Sequence, residues 1–448
     1  MYRPGWFPEY SPKEQKVFDQ IQDIIRATFE KRNFEHIWTP AVERNDILLK
    51  WGDTVANEIF GLVWLKDFQG AITNSNIFTS TENTSPYVWQ IINVSETYSK
   101  TLKDYSLHFD LTVPFARYVL DHLNEITLPF KRYQMQPVWR WERQQRGRFK
   151  EFWQCDVDSI WRSWTDVGSW YGVETIATLQ SAIKQVINQF NAHKTFVSHI
   201  SHIGVTKSRL SYLTENDTHK VQLIVNLLDK YHKRSHDEFM VDLNKITDDA
   251  ISKQVEKLIQ TADYSILSNI EWYGDLSKTI KILKQLWCVV KYDFSIVRWL
   301  WYYTWIVFET FIEGQQSLWS ICSWGWYEDF TKFIDPKQVF SGIWWSIGLS
   351  RLMEIIIESN QVSWKSITSY MCINFEDTKD AIIKLYSDFI NQWKICELYP
   401  TPTKLGKQFE YADKKWITHC IILGSGELEQ WIYKIKNLAT GEEEIVKL

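Results

Sequence analysis

The feature that most constrains this chain of 448 residues is an excess of tryptophan over glycine, with 25 Trp and 17 Gly. Glycine ordinarily supplies about 7% of a protein's residues. It occupies backbone positions with positive φ and points where the main chain approaches a ligand closely. At that frequency this chain would carry about 31 glycines, so both counts are abnormal and need an explanation.

The charge and hydropathy patterns exclude several classes of protein. Lys and Arg number 50 against 55 Asp and Glu, and hydrophobic residues make up 45%, which excludes a disordered chain. The length predicts about two to four domains. No apolar run reaches the roughly 18–20 residues of a membrane span, and the first residues lack the apolar core of a signal peptide. The net charge of −5 gives no overall attraction to nucleic acid, so such a partner must bind a local patch.

Cysteine and histidine usage gives no sign of a metal or disulfide framework. The six cysteines form no CxxC pair, and the ten histidines show no metal-ligand spacing. We therefore expect free thiols in a reducing cytoplasm and no protein-bound structural metal. The glycine-rich phosphate loops are also missing, so a bound nucleotide would be held by arginines.

Apolar spacing predicts the elements of the first half of the chain. Residues 11–33 and 171–190 have the periodicity of amphipathic helices, and residues 34–42 are predicted to form a strand that ends at Pro40. Two β-like runs surround the polar turn RQQRGR between residues 107 and 158.

The second half of the chain changes character three times. Residues from about 205 to 285 are polar, helix-forming and free of proline, which indicates an inserted helical module. Residues 289–351 return to β-like runs. Residues 369–424 follow the order βαβαβ, which predicts a small parallel sheet with helical crossovers.

The hairpin that ends at Asp158 carries the most chemistry. Read with the two-residue period of a strand, one of its faces is apolar and the other is polar. The polar face holds Arg140, Glu142, Gln154, Asp156 and Asp158. A surface hairpin with a solvated polar face is the simpler interpretation, whereas a buried charged face would indicate a ligand site. Arg140 suits bidentate binding of phosphate, and Asp158 suits pairing with a cationic or imidazole group.

Three weaker signals lie elsewhere. Asp110 and Thr112 alternate with apolar residues, so both could face one cavity, but a half-buried strand with incidental polar positions explains them too. Arg298 is the only cation in a long apolar run and is either a paired structural residue or an anion ligand. Arg351 ends SGIWWSIGLSR, a predicted strand-to-helix transition.

In this order, the segments resemble the motifs of histidyl-tRNA synthetases, which are class II aminoacyl-tRNA synthetases. FEHIWTPAVE resembles the dimer-forming motif 1, WRWERQQRGRF motif 2, and GIWWSIGLSR motif 3. IVRWLWYYTWIVFE and CSWGWYEDF resemble the two histidine-specific motifs, which are the more diagnostic because other synthetases do not share them. The resemblance covers nearly the whole chain.

The resemblance implies an α+β fold. An antiparallel-sheet class II catalytic domain would occupy residues 1–365, with the helical insertion at about 205–285, and a C-terminal α/β anticodon-binding domain would occupy residues 366–448. The insertion fits either contact with the tRNA acceptor stem or a solvated structural module. Arg143 and Gln145, on the motif 2 loop, would contact the acceptor stem.

The implied activity is that of a cytoplasmic, homodimeric histidine–tRNA ligase. The carboxylate of histidine attacks the α-phosphorus of ATP, which is bound with Mg²⁺, to give histidyl-adenylate and pyrophosphate. The 3′-terminal ribose of tRNA(His) then accepts the histidyl group.

Motif matches imply which residues would hold histidine. Asp110, Thr112 and Gln154 would bind its α-ammonium group. Asp158 and Tyr303 would hydrogen-bond the two imidazole nitrogens, and such a site rejects side chains that lack them. Asp110 and Asp158 stand where glutamate is common in the family, one methylene longer.

Motif matches also imply which residues would hold ATP. Arg140 and Arg298 would stabilise the charge that develops at the α-phosphate and the carboxylate. Arg351 and Phe149 would sandwich the adenine, with Glu142 at its edge.

Many tryptophans stand where the family typically carries glycine or a very small residue. They are Trp64, Trp141, Trp161, Trp299, Trp305, Trp319, Trp324, Trp344, Trp393, Trp416 and Trp431. Even extra methylenes in a packed site cost about 1–3 kcal/mol, so about ten indoles would exceed the roughly 5–15 kcal/mol that stabilises a domain. We hypothesise that UGA codons which the source organism reads as glycine are written here as tryptophan. Trp139 and Trp153, at positions where aromatics are usual, would be true tryptophans.

Three alternatives remain open at the level of sequence. One is a genuinely tryptophan-rich paralogue with a blocked active site. The second is a catalytically silent paralogue that regulates histidine biosynthesis, although such proteins usually lack the C-terminal domain and the catalytic arginines found here. The third is a plain tRNA-binding or translation-control module. Histidine-dependent exchange of pyrophosphate into ATP distinguishes the ligase from the last two.

Overall fold

The chain divides into two structural units, Met1–Asn360 and Gln361–Leu448. The computed structural model describes most of the chain. At residues 167–170, 233, 303, 304 and 324 it describes only the backbone. The described ranges are 4–49, 58–62, 104–141, 147–162, 167–297, 303–314, 320–327, 329, 331–359 and 369–448. No helix in these ranges is long and apolar enough to cross a membrane.

The first helix, α1 (Pro12–Glu30), confirms the helix predicted at 11–33. It begins in a capping box, in which the Glu14 N–H donates to Ser11 Oγ and the Ser11 N–H donates to Glu14 Oε2. Pro12 is the first residue of the helix, where a backbone N–H has no hydrogen-bond partner within the helix, so the missing N–H of proline costs nothing. One face of the helix is buried through Val17, Phe18, Ile21, Ile25 and Phe29.

An eight-stranded sheet organises the first unit. In spatial order its strands are β1 (Glu35–His36), β4 (Phe130–Trp139), β5 (Glu151–Trp161), β10 (Ser341–Gly348), β9 (Cys322–Tyr327), β8 (Tyr303–Ile312), β6 (Phe196–His202) and β7 (Val290–Tyr292). The neighbours pair antiparallel except at the two edges, where β1 runs parallel to β4 and β7 parallel to β6. This confirms the predicted antiparallel-sheet α+β fold.

Further elements surround this sheet. They are the paired strands β2 (Val42–Arg44) and β3 (Tyr105–Leu107), and the helices α2 (Asn45–Leu48), α3 (Thr112–Asp121), α4 (Val167–Gln189) and α10 (Leu349–Glu358). Helix α4 confirms the helix predicted at 171–190. The change from β10 to α10 confirms the predicted strand-to-helix transition.

The predicted helical insertion lies between β6 and β7. Its helices are α5 (Ile203–Leu213), α6 (Thr218–Leu228), α7 (His236–Ile246), α8 (Asp249–Gln260) and α9 (Tyr273–Gln285), with short 3₁₀ turns at Tyr231–Lys233 and Tyr264–Leu267. Most of the helices of the module bury a few apolar residues and expose the rest of their surface.

Two local predictions were wrong. The strand predicted at residues 34–42 is only the two-residue β1, and the chain then turns past Pro40 into β2. The alternating pattern around Asp110 and Thr112 is not a strand, because α3 begins at Thr112. Over so few residues the apolar positions of a buried helix end resemble strand alternation.

The second unit is an α/β sheet. Its strands, in spatial order, are β12 (Ile395–Leu398), β11 (Ser369–Cys372), β13 (His419–Ile422), β14 (Ile432–Asn437) and β15 (Glu443–Lys447), and its helices are α11 (Lys379–Asn391), α12 (Leu405–Lys414) and α13 (Ser425–Glu429). The first three strands are parallel, which confirms the βαβαβ prediction, and the last two are antiparallel.

Among the described residues, six tryptophans adopt the left-handed backbone conformation that residues with side chains avoid. They are Trp6, Trp272, Trp287, Trp393, Trp416 and Trp431, with φ between 54° and 71°. The last four each stand two residues beyond the end of a helix, α9, α11, α12 or α13.

The hydrogen bonds after α9, α11 and α12 are those of a glycine cap. The N–H of the residue after the tryptophan donates to a carbonyl near the helix end, at 3.0 Å for Cys288 to Leu283, 3.1 Å for Lys394 to Phe389 and 2.9 Å for Ile417 to Ala412. Helices most often carry glycine at this position, because only glycine takes positive φ without a steric penalty. The indoles of Trp287 and Trp393 are 93% and 97% exposed, so burial does not offset the backbone strain.

Candidate active site

The polar face predicted for the β4–β5 hairpin is buried. It carries Arg132, Gln134 and Gln136 on β4 opposite Asp158, Asp156 and Gln154 on β5, none more than 6% exposed. Burying so many polar groups is costly unless they bind one another or a ligand. The simpler interpretation, a surface hairpin with a solvated polar face, is therefore wrong. This face is the candidate active site.

Asp158 is held by two partners in this face. Its Oδ2 lies 2.6 Å from a terminal nitrogen of Arg132, and its Oδ1 accepts a hydrogen bond of 2.8 Å from the Tyr327 hydroxyl. Burial raises the pKa of Asp158 to about 7, even though Arg132 and the Tyr327 hydroxyl favour the ionised form. The carboxylate therefore titrates near neutral pH, where small changes in its partners shift its charge.

Asp156 and Gln154 each have one acceptor oxygen without a hydrogen-bond partner among the described residues. Asp156 Oδ2 accepts a 2.7 Å hydrogen bond from the indole N–H of Trp344, and the amide nitrogen of Gln154 donates to Ser346 Oγ at 3.2 Å. The second oxygen of each side chain, Asp156 Oδ1 and Gln154 Oε1, is buried without a hydrogen-bond partner in the described part of the chain. Buried acceptors in this state are suited to a ligand that brings N–H donors.

Asp110 and Thr112 lie at the N-terminus of α3, so they reach the site from a helix end and not from a strand. Asp110 Oδ1 accepts a hydrogen bond of 3.1 Å from the Val113 N–H. Burial raises the pKa of Asp110 to about 6, against the opposing effects of this hydrogen bond and of Arg140. Asp156 raises it further, which places the two acids within one electrostatic cluster.

Arg140 is fixed beside these acids. Its Nε donates to the Phe109 carbonyl at 2.8 Å, and its guanidinium carbon lies 5.2 Å from the centre of the Phe152 ring. The Arg140 charge lowers the pKa of both Asp110 and Asp156. A preorganised cation next to buried acceptors can stabilise charge that develops on a bound anion.

Arg351 connects two loops at the rim of the site. It lies in the first turn of α10, where its Nε donates to the Gly147 carbonyl at 3.0 Å and a terminal nitrogen donates to the Ser320 carbonyl at 2.7 Å. The carbonyl of Gly147 belongs to the same loop as Phe149. The guanidinium is thus held in place by main-chain atoms and keeps a flat face for stacking.

Asp110 also makes stability depend on pH. Its folded-state pKa of about 6 exceeds the ordinary 3.8, so the folded chain keeps a proton that the unfolded chain releases. The stabilisation is complete below about pH 4 and is lost, by about 1.4 kcal/mol per pH unit, as the pH rises to 6. Asp110→Asn keeps an acceptor for the Val113 N–H and is expected to make the slope from urea unfolding shallower by about 1.4 kcal/mol per pH unit, while the part due to the raised pKa values of Asp156 and Asp158 remains. The same slope in both proteins would contradict the assignment.

Comparison with known proteins gives the family. The anticodon-binding domain model matches residues 369–448. A histidine–tRNA ligase of Flavobacterium johnsoniae is 30% identical over 466 residues, which cover 97% of this chain and 94% of the relative. One from Nostoc punctiforme is 30% identical over 476 residues, covering 98% and 94%. The chain belongs to the histidine–tRNA ligase family.

The fold agrees with solved structures of the family. The crystal structure of histidyl-tRNA synthetase from a Nostoc species superimposes with a TM-score of 0.79 at 24% identity, covering 99% of this chain and 96% of that one. A structure described as an ATP phosphoribosyltransferase regulatory subunit/histidyl-tRNA synthetase, from Bacillus halodurans C, has a TM-score of 0.62 at 16% identity and covers 92% and 96%. Both likenesses concern the fold.

The structure of this member of the histidine–tRNA ligase family describes the positions of some of the predicted site residues. It brings Asp110, Thr112, Arg140, Gln154 and Asp158 to one buried face and its helical border. Five further predicted positions, one for catalysis, one for ATP, one for histidine and two for tRNA, lie outside the described side chains. These are Glu142, Arg143, Gln145, Arg298 and the side chain of Tyr303.

Three polar residues of this face, Arg132, Gln134 and Tyr327, were not among the residues predicted from the sequence. Asp156 was predicted to lie on the face but was given no role in binding. A signal existed for the two β4 residues, because Arg132 and Gln134 alternate with apolar neighbours along FKRYQMQPVW. Tyr327 had no such signal, since only the sheet order brings β9 near β5.

Proposed function

We propose that this chain is a histidine–tRNA ligase that activates histidine with ATP to histidyl-adenylate and transfers the histidyl group to tRNA(His). The observation that carries the proposal is the buried face of β4 and β5, where acidic and amide acceptors stand beside Arg140. Residues 1–365 would form the catalytic domain, with its insertion at about 205–285, and residues 366–448 the anticodon-binding domain. The enzyme would act as a cytoplasmic homodimer.

Histidine would bind through its two polar ends. Asp110, Thr112 and Gln154 would hold the α-ammonium group, and Asp158 and Tyr303 the imidazole nitrogens. The unpartnered acceptor Gln154 Oε1 supports this orientation, as does the buried, ionisable Asp110 carboxylate in the same electrostatic cluster as Asp156.

ATP would bind as its Mg²⁺ complex, with the phosphates supplying ligands to the ion. Arg140 and Arg298 would stabilise the charge that develops as the histidine carboxylate attacks the α-phosphorus. Arg351 and Phe149 would stack on the adenine, and Glu142 would meet its edge. The bonds from Arg351 to the Gly147 and Ser320 carbonyls support this role, since they fix the guanidinium plane.

The tRNA would contact both units. Arg143 and Gln145 would contact the acceptor stem, and the second unit would read the anticodon. Pyrophosphate exchange into ATP that requires histidine, followed by charging of tRNA(His), tests the proposal. A regulatory paralogue or a tRNA-binding module would bind its ligands without either reaction.

Arg298→Ala is expected to lower histidine-dependent pyrophosphate exchange by about 10³-fold, the loss typical of removing a cation that stabilises the transition state. Histidine binding, measured by calorimetry, should weaken much less, because Asp110, Gln154 and Asp158 remain. Arg26→Ala, on the exposed surface of α1, is the matched control. Exchange at an unchanged rate in Arg298→Ala would remove the role assigned to this arginine.

A further inference from the structure

Two histidines and an aspartate from distant parts of the chain meet near the β6–β7 edge of the first sheet, four strands from β5. His199 lies on β6, Asp293 directly follows β7, and His232 belongs to the 3₁₀ turn Tyr231–Lys233 of the helical insertion. One ligand atom from each residue lies within 4.8 Å of the others. The spacing of the histidines in the sequence does not indicate this cluster, because its three residues are far apart along the chain.

The three side chains are directed at one another. Asp293 Oδ2 is 2.6 Å from His199 Nδ1 and 3.3 Å from His232 Nε2. The aspartate is nearly buried, whereas His232 keeps 35% of its side chain exposed. The cluster is therefore anchored on the sheet and reachable from solvent.

We propose that His199, His232 and Asp293 form a binding site for a divalent transition metal, of which Zn²⁺ fits best. Two imidazole nitrogens and one carboxylate oxygen are a ligand set that Zn²⁺ binds, with a fourth position left for water or another ligand. Ligand atoms about 2.0–2.1 Å from a tetrahedral ion lie about 3.3 Å from one another. The His232–Asp293 distance already fits, and the His199–Asp293 distance must open by about 0.7 Å.

The surroundings of Asp293 are those of a supported ligand. The Ser295 hydroxyl and the Ser295 N–H both donate to Asp293 Oδ1, at 2.6 and 2.9 Å, and leave Oδ2 for the metal. Hydrogen bonds that orient a ligating carboxylate in this way commonly contribute to metal affinity. A hydrogen-bonded histidine–aspartate network without metal is the simpler alternative, and the experiment below distinguishes the two.

The fourth coordination position would open into a cavity. A cavity of about 390 Å³ is lined by His199, His232 and Ser295, and also by the carboxylate-bearing Asp229 and Glu309. Glu309 stands opposite His199 in the β6–β8 register. Glu313 adds a third carboxylate and Lys291 one cation, so the charges of the described lining are net acidic and favour a bound cation.

The metal would connect the helical insertion to the catalytic sheet. His232 is the ligand from the insertion, and the other two come from β6 and the end of β7. Bound Zn²⁺ would therefore stabilise this junction, because a ligand that binds only the folded state shifts unfolding in its favour.

The test uses the full-length, untagged chain after dialysis against a chelator. Titration with Co²⁺ is expected to give one tetrahedral site per chain, seen as visible absorption that Zn²⁺ abolishes. His232→Asn, at a half-exposed position, should lose the absorption and the Zn²⁺-dependent rise in the thermal unfolding midpoint. Asp293→Asn should do the same, and Ser295→Ala should weaken binding about 10–100-fold.

His236→Asn is the matched control. His236 pairs with one carboxylate, Glu256, at 2.9 Å on the surface of the insertion, so its loss should leave Co²⁺ binding unchanged. Absence of a stoichiometric site in the unmodified chain would overturn the proposal. Equal binding by His232→Asn, which is expected to fold because it alters no core residue, would overturn it as well.

Discussion

A chain with glycine in place of the eleven tryptophans named above is expected to exchange pyrophosphate into ATP when histidine is present. The chain with tryptophan at these positions is expected to be slower by at least about 100-fold, since displacing a bound substrate by 1 Å costs about this much. The comparison tests the ligase and the glycine hypothesis together.

The physical reason lies at Trp344. Its indole rests on the polar face of β5, donates to Asp156 at 2.7 Å and is 93% buried, the remaining 7% being exposed. A side chain in this place fills space that a substrate bound to Asp156 and Asp158 would need. Glycine at the same position would leave the β10 backbone in register and the face open.

Two further variants separate the active site from general folding. The glycine chain that retains Trp344 alone should lose histidine-dependent exchange. The glycine chain that retains Trp393 alone should keep it, because this indole is almost fully exposed on the second unit. If the retained Trp344 has no effect on exchange, the indole does not block the site.

Glycine at Trp287, Trp393, Trp416 and Trp431 is expected to stabilise the protein. Each tryptophan holds positive φ at a helix end, a conformation that costs residues other than glycine about 1–2 kcal/mol. Three of the four lie in the second unit, so the free energy of unfolding of that unit should rise by about 3 kcal/mol. Urea unfolding of the full chain, followed by circular dichroism, measures the change.

The matched control is a tryptophan that the core requires. Trp345 is fully buried on β10 and packs edge-to-face on Phe29, with ring centres 5.5 Å apart. Trp345→Gly should destabilise the first unit by at least about 3–5 kcal/mol, the usual cost of removing a buried aromatic ring. Loss of stability on replacing the helix-end tryptophans would contradict the argument from backbone strain.

The codons decide the origin of these tryptophans. UGA at Trp299, Trp324 and Trp344, with UGG at Trp139 and Trp153, is expected under the glycine hypothesis. The intact mass of the protein from its natural source should then be lower by one indole side chain at each UGA codon. UGG at the first three positions would refute the hypothesis.

Long periodic segments were predictable because their pattern repeats many times. Helix α1 buries one apolar face along its length, and apolar and polar side chains alternate along β4 and β5 over ten or more residues. These periods can be recognised without tertiary information. The start of α3 was not predictable, because Asp110 and Thr112 lie where a loop becomes a buried helix. Helix burial on most sides removes the polar positions that mark a period.

The site was predictable only where its residues share one strand. Gln154, Asp156 and Asp158 alternate along β5, so their common face follows from the sequence. The cluster of His199, His232 and Asp293 joins three segments through the pairing of β6 with β7 and the packing of the insertion. Nothing in local spacing reveals such contacts, because they depend on sheet topology.

The parallel pairing of β6 with β7 has a consequence for how this enzyme could change over time. Ser198 and Ile200 stand opposite Val290 and Tyr292, so the chain leaves the sheet and returns to it on adjacent strands. A crossover of about a dozen residues suffices to join parallel strands, and this one is several times longer. The helical insertion can therefore be enlarged, trimmed or exchanged between lineages without shifting the register of any strand that holds the active site.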